Sequence, residues 1–234
     1  MIGSERRSVF SLAFLYSTRM LGLFMVLPVF MLYGEDLEHS NELLLGLAIG
    51  AYGLSQAIFQ IPFGALSDRY GRKKLIFIGL MLFFVGSVIA ALSEDIYGVI
   101  FGRFMQGAGA IASVLMALLS DLTSEESRTK SMAIIGMSIG ISFSVALILG
   151  PLVSGIFGLQ GIFWLTAILA IVGMFWLFFF VPSPIQSIAR DKGRASGRQN
   201  GTKDRNTRLF KHQIKEVLAN KELLRLDIGI FALH

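Results

Sequence analysis

The chain has 234 residues, of which 54% are apolar and 16% charged, with twenty Phe and no Cys. A soluble domain carries about a quarter charged residues, and several apolar stretches here exceed the roughly twenty residues a helix needs to cross the hydrocarbon core. Composition therefore excludes a soluble domain and a disulfide scaffold, and it defines an all-α integral membrane protein in contact with the lipid bilayer. The formal charge of +5 follows the connections between apolar runs, so it marks topology and no nucleic-acid partner is expected.

In chain order, residues 1–182 are expected to form a six-helix transmembrane bundle, with helices at about 8–33, 43–66, 74–93, 97–121, 130–156 and 160–182. Arg6 and Arg7 precede the first apolar run, but that run is too long for a signal h-region, contains Arg19 and lacks a small-residue cleavage site. The link GEDLEHSNE (34–42) has four acids and no Lys or Arg, and the link at Glu94 and Asp95 is also acidic. Arg19 and Arg103 aside, the basic residues collect at the amino terminus, at 67–74, at 121–130 and at 183–221. These are alternate connections, so the positive-inside rule puts them, and the amino terminus, in the cytoplasm. Residues 183–221 read as a basic cytoplasmic linker, polar and Gly/Ser-containing. Residues 222–234 open a seventh helix, and a chain that stops inside LLRLDIGIFALH is expected to be the amino-terminal half of a longer protein.

The densest charge lies in FGALSDRYGRKK (63–74), between two apolar runs. Gly64 and Asp68, four residues apart, share a helix face. Gly64 permits close approach of another helix, and Asp68 is suited to accept hydrogen bonds from a helix amino terminus. Gly71 suits a positive-φ turn, while Arg69, Arg72, Lys73 and Lys74 anchor that turn on the basic side. Asp121 has the wrong sign for the carboxyl end of its helix, so it should take a cation as partner. Arg72 is the first candidate and Arg69 the second.

The spacing Gly64-x-x-x-Asp68-Arg69-x-Gly71-Arg72-Lys73 resembles the helix 2–3 signature of the major facilitator superfamily. That resemblance implies a latch between two six-helix halves. RFMQGAGA (Arg103, Gln106, Gly107, Gly109) is similar to the family's helix 4 signature, whose Arg is associated with proton coupling. The fifth run, with Gly136, Gly140, Gly150, Pro151 and Gly155, resembles the antiporter signature, although Met137, Ala146 and Ser154 replace its usual glycines. Helix packing is an equally good reading of this run. With RMLGLFMVLPVF, these stretches are similar to the twelve-helix drug–proton antiporter branch. STRMLGL and FGRFMQG form a weak repeat, as 3+3 inverted repeats would give.

Interior polar groups fall on helices 1, 2, 4 and 5: Arg19, Tyr52, Gln56, Gln60, Arg103, Gln106, Ser113, Ser138 and Ser142. Helices 3 and 6 read as apolar all round and lipid-facing. A guanidinium inside a membrane helix faces a partner or a wet cavity. Arg19 therefore suits an anionic group, a nearby acid whose pKa it lowers, or a role held by glutamines alone. No Asp or Glu lies in the middle of the six runs, so a coupling proton needs a site elsewhere, such as Glu35, Asp36, Asp227 or the second half. The implied function is proton-coupled export of small amphipathic molecules, with nutrient uptake or a non-transporting scaffold or receptor as alternatives. No metal, nucleotide or catalytic motif is present, so no cofactor and no enzymatic reaction are expected.

Overall fold

The chain divides into two compact units, Met1–Pro184 and Ile185–His234. The computed structural model describes residues 3–181. The expected linker, the opening of the seventh helix and Asp227 lie outside the described residues.

Six α-helices follow one another: α1 (Gly3–Tyr33), α2 (Glu42–Tyr70), α3 (Arg72–Leu92), α4 (Ile96–Ala108), α5 (Ala112–Leu122) and α6 (Glu125–Phe179), with a 3-10 turn at Gly34–Asp36. They make five stretches long and apolar enough to span a membrane, one being Ile96–Leu122, where α4 and α5 lie end to end. Straight, the 55 residues of α6 would extend far beyond a core about 30 Å thick. Gly158 breaks it, at φ 67° and ψ −169°, a backbone region reserved for glycine.

Contacts along α1 show that α6 doubles back there. Going up α1, Glu5 meets Ser124 and Ser127, Ser17 meets Ser138, and Met25 meets Gly150. In the same direction Ser11 meets Trp176, Thr18 meets Gly173, and Gly22 meets Thr166. The limb before Gly158 therefore runs parallel to α1 and the limb after it antiparallel, so residues 3–181 make six passes.

One face of the bundle carries the amino-terminal end of α1, the α2–α3 turn and the α5–α6 turn; this is the basic face. The opposite, acidic face carries 34–41, 93–95 and Gly158. Glu38 and Asp95 form a parallel bridge there, in which the Glu38 N–H donates to the Glu94 carbonyl (3.0 Å) and the Ile96 N–H to the Glu38 carbonyl (3.2 Å). At its start α2 is capped by the Asn41 side chain, which accepts from the Leu44 N–H at 2.8 Å.

Three sequence expectations need correction. The single helix at 97–121 is interrupted at 109–111. Gly109 presses against the Gly79 backbone and leaves helical geometry (φ −72°, ψ 49°), and α5 restarts from Ile111. The helix expected from 130 begins at Glu125. Its first turn carries Glu125 and Glu126, favourable at the positive end of the dipole, and Glu5 accepts from the Ser124 N–H (3.0 Å) and the Ser127 hydroxyl (3.2 Å). Finally, neither α3 nor the second α6 limb is lipid-facing all round. On that limb Phe163, Thr166, Ala170 and Gly173 are buried, with Thr166 and Gly173 against α1. The Gly79 and Gly86 face of α3 lies directly against the α4 backbone, and Ser87 and Phe83 are buried within the polar interior.

Candidate functional site: a charged rim and a buried arginine ring

Two polar centres stand out in the apolar bundle. The first is at the basic rim. Gly71 adopts φ 99°, which lets α2 end and α3 start with one residue between them. The turn brings Arg72 back over the end of α2. Its Nη1 lies 2.7 Å from Asp68 Oδ1 and donates to the Ser67 hydroxyl at 2.7 Å. Its Nε donates to Asp121 Oδ2 at 3.0 Å. One guanidinium thus joins the ends of α2, α3 and α5. Ser67 in turn donates to the Gly64 carbonyl at 2.6 Å, which fixes the hydroxyl that Arg72 uses. A Cβ added at Gly64 would meet the Ser113 hydroxyl of α5 at ordinary contact distance, 3.5 Å, and that hydroxyl donates to the Gln60 carbonyl (3.0 Å).

Arg69 takes no part in this cluster; its guanidinium lies 5.7 Å from the Tyr70 ring centroid. Lys73 is half-buried beside the turn. Asp68 is 66% exposed and Asp121 40%, against 19% for Arg72. The cation is held within the bundle while its two acids face outward. Sequence reasoning missed Ser67, and only its place one turn after Gly64 and five residues before Arg72 offered a signal.

The second centre lies in the interior. Arg19 and Arg103 are 3% and 1% exposed, and both meet Tyr52. Arg19 Nη2 donates to the Tyr52 hydroxyl at 3.3 Å and to Gln56 Oε1 at 3.5 Å. The Arg103 guanidinium lies over the Tyr52 ring, 4.7 Å from its centroid, in the geometry of a cation–π contact. Arg103 Nη1 donates to Gln106 Oε1 (2.9 Å), Gln106 Nε2 to the Ser87 hydroxyl (2.8 Å), and Ser87 to the Phe83 carbonyl (2.7 Å). The Phe83 ring lies 5.9 Å from the Arg19 guanidinium carbon, which closes a ring of contacts through α1, α2, α3 and α4. Ser87 and Phe83 were not among the sequence candidates. A lone Ser within an otherwise apolar run was the available signal. The Gln60 side chain is half-buried one turn beyond Gln56.

The ring is charge-unbalanced. Nε and Nη1 of Arg19, and Nε and Nη2 of Arg103, are buried without a hydrogen-bond partner. Among the described residues no acid reaches either guanidinium.

The glycines of the first α6 limb divide sharply. A Cβ on Gly150 would stand 2.8 Å from the Met25 carbonyl of α1, whereas Gly136, Gly140 and Gly155 face open space. Pro151 sits inside a helix that stays continuous around it, and its carbonyl accepts from the Ser154 hydroxyl at 3.1 Å.

A six-pass helical unit with a cross-braced charged rim and uncompensated cations inside is a polytopic membrane bundle. The chain belongs to the Major Facilitator Superfamily, whose family profile matches residues 12–233. It is 49% identical, over its whole length and 48% of the relative's, to the inner membrane transport protein YajR of Escherichia coli (strain K12). It is 45% identical, over 98% of its length and 56% of the relative's, to the uncharacterized transporter BU466 of Buchnera aphidicola. The chain spans about half the length of the curated relatives it matches. Among solved structures, the human organic anion transporter MFSD10 superposes with a TM-score of 0.65 at 21% identity, over 77% of this chain and 48% of that one; at that identity the likeness concerns the fold alone.

Proposed function

We propose that this chain is the amino-terminal half of a proton-coupled exporter that moves small amphipathic molecules by alternating access. The observation that carries the reading is the single guanidinium of Arg72 bridging Asp68 and Asp121 at one rim. A rim braced by one shared cation has few contacts to exchange, so a second half that competes for Asp68 could lock or release it. Gly64, Asp68, Gly71, Arg72 and Asp121 form this latch, with Arg69 and Lys73 as flanking cations of the same turn. By the positive-inside rule the basic face is cytoplasmic, in a bacterial inner membrane.

The second six-helix half docks on α2 and the first limb of α6. Only 28% of the best apolar window of α2 is buried, against 67% for Ile96–Leu122, and Gly46, Gly50, Gly53, Gly136 and Gly140 all face open space. Small residues on a membrane helix let another helix approach closely. Because the described passes hold no acid at mid-depth, the coupling proton binds in the second half, at the acidic rim near Glu35 or Asp36, or on a group that is not a carboxylate. Export rather than uptake rests on the resemblance to the drug–proton antiporter branch.

The test is flux by the complete protein in proteoliposomes under an imposed pH gradient. Accumulation of a fluorescent amphiphile on the acidic side is expected, and collapse of the gradient should abolish it. Flux in the direction of the protons would replace export with uptake. No movement under either a gradient or counterflow would leave a scaffold or receptor.

A further inference from the structure

We propose that the pathway is a receptor for amphipathic carboxylates, with Arg19 as the residue that sets the charge of the solute. The proposal rests on the transport reading above and names its substrate class.

The first argument is charge. Each arginine keeps two buried nitrogens without a partner. Arg103 makes a short hydrogen bond to Gln106 (2.9 Å) and lies 4.7 Å from the Tyr52 ring centroid; Arg19 has the weaker contacts, with the Phe83 ring centroid 5.9 Å away. Only Nη2 of Arg19 makes hydrogen bonds, both long, at 3.3 and 3.5 Å, and its Nε and Nη1 have no partner. A cation at membrane depth without a counter-ion is costly, and the cost falls when an anion arrives. An anion is therefore what this position binds more tightly than any neutral or cationic group.

The second argument is the direction of the neighbouring dipoles. Gln56 and Tyr52 both spend an oxygen lone pair on Arg19. That orientation turns the Gln56 Nε2 hydrogens and the Tyr52 hydroxyl proton away from Arg19. Neither donor has an acceptor among the described residues, and Gln56 is half-exposed. Arg103 over the Tyr52 ring polarises the phenol and strengthens its hydroxyl as a donor. The front of Arg19 thus offers mainly N–H and O–H donors, and the neighbouring Tyr16 hydroxyl, which interacts with both Arg19 and Tyr52, can donate as well as accept. An ionised carboxylate is acceptor-only and satisfies this array, whereas an ammonium meets donors backed by two positive charges. Phe59, one turn from Gln56, and Phe24, edge-on to Phe143 at 5.1 Å, supply apolar surface for the remainder of the solute.

The experiment uses the complete protein in nanodiscs and three probes of one skeleton: 4-phenylbutyrate, its uncharged amide and 4-phenylbutylamine. The thermal midpoint is followed as each is titrated, since a ligand that binds the folded state raises it. The carboxylate should stabilise most and the amine least. Arg19→Gln should weaken the carboxylate at least tenfold and the amide much less, removing the preference between them, and Arg19→Lys should keep the order with weaker binding. Gln56→Glu, which keeps Arg19 and places an acid before it, should invert the order. A wild-type protein that responds to all three alike, including not at all, overturns the proposal, as does an unchanged order in Arg19→Gln. Proteoliposome flux separates the two readings. Transport without charge preference leaves the transporter and removes the carboxylate receptor, while absence of flux for every solute removes the transporter itself.

Discussion

Glycine plays opposite parts on two surfaces of this molecule. Along the α3–α4 seam it is the means of contact. A Cβ on Gly86 would lie 2.5 Å from the Gly102 carbonyl and 2.6 Å from the Gln106 nitrogen, and one on Gly102 would lie 2.7 Å from the Gly86 carbonyl. Gly79 and Gly109 repeat the arrangement lower in the same seam, against one another and Ile111, and Gly107 does so against Tyr52 and Ser55 of α2. On the outer side of α2 and of the first α6 limb, Gly46, Gly50, Gly53, Gly136 and Gly140 touch nothing. One set is committed to this half of the fold, and the other is uncommitted within it. Small residues hold helices together in a membrane only where two backbones meet, so the type of residue is uninformative until its partner is known.

The largest effect should come from the committed set. Gly86→Ala forces the Cβ into backbone atoms that cannot rotate away, and overpacking of this kind costs about 1–3 kcal/mol or more. Because Gln106 and Arg103 hang from that same stretch of α4, the variant should lose folded, monodisperse protein on size exclusion and lower the thermal midpoint by several degrees. A variant as stable as the wild type would mean that the seam yields, and that the arginine ring is not held by it.

Next in size is the rim. Neutralising Arg72 in the complete protein removes both ion pairs at once, and flux should fall about tenfold, equivalent to about 1.4 kcal/mol at the transition it controls. Exchanging the charges, Arg72→Asp with Asp121→Arg, should recover part of the loss, because the pair is reconstituted while the contact to Asp68 becomes repulsive. A double-mutant cycle for Arg72 and Asp121 measures that coupling. Strict additivity would show that the 3.0 Å contact carries no energy.

How much of this was legible in the sequence depends on whether the signal was local. The turn was: a glycine between two long apolar runs, followed by three cations, specifies a positive-φ reversal at Gly71. The Asp121 contact was legible through sign alone, since an acid at a helix carboxyl end is unfavourable without a cation. The break at 109–111 was not, because its cause is the Gly79 backbone some thirty residues earlier in the chain. Phe83 was hidden for the same reason, and the lone Ser87 was the one local signal. Neither residue announces its partners on other helices, Arg19 for Phe83 and Gln106 for Ser87. The fifth-run glycines illustrate the limit best, since Gly150 and Gly140 look alike in sequence and only the approach of α1 distinguishes them.

A smaller effect on stability is expected from Asp68→Asn. Asp68 is 66% exposed, and exposed pairs contribute about 0–1 kcal/mol; Arg72 also keeps Ser67 and Asp121. The thermal midpoint of the variant should stay close to wild type and become less dependent on salt. Flux should nevertheless drop, because Asp68, more exposed than Asp121, is the acid that an approaching second half would meet first. Unchanged flux would reduce the Asp68 contact to a local brace of the turn.

The smallest effect should come from the uncommitted set, and it sharpens the comparison most. With open space around them, Gly136→Ala and Gly140→Ala should each cost nothing in packing and change the stability of residues 1–234 by no more than about 1 kcal/mol, the gain in helix propensity of Ala over Gly. Gly140→Leu should behave similarly in this chain. In the complete protein the same Leu should lower flux, because a large side chain holds apart two helices that glycine lets meet. Equal flux with Leu at 140 would show that this face stays open to lipid throughout the cycle. The second half would then have to dock elsewhere, on a surface where α2 alone supplies the small residues.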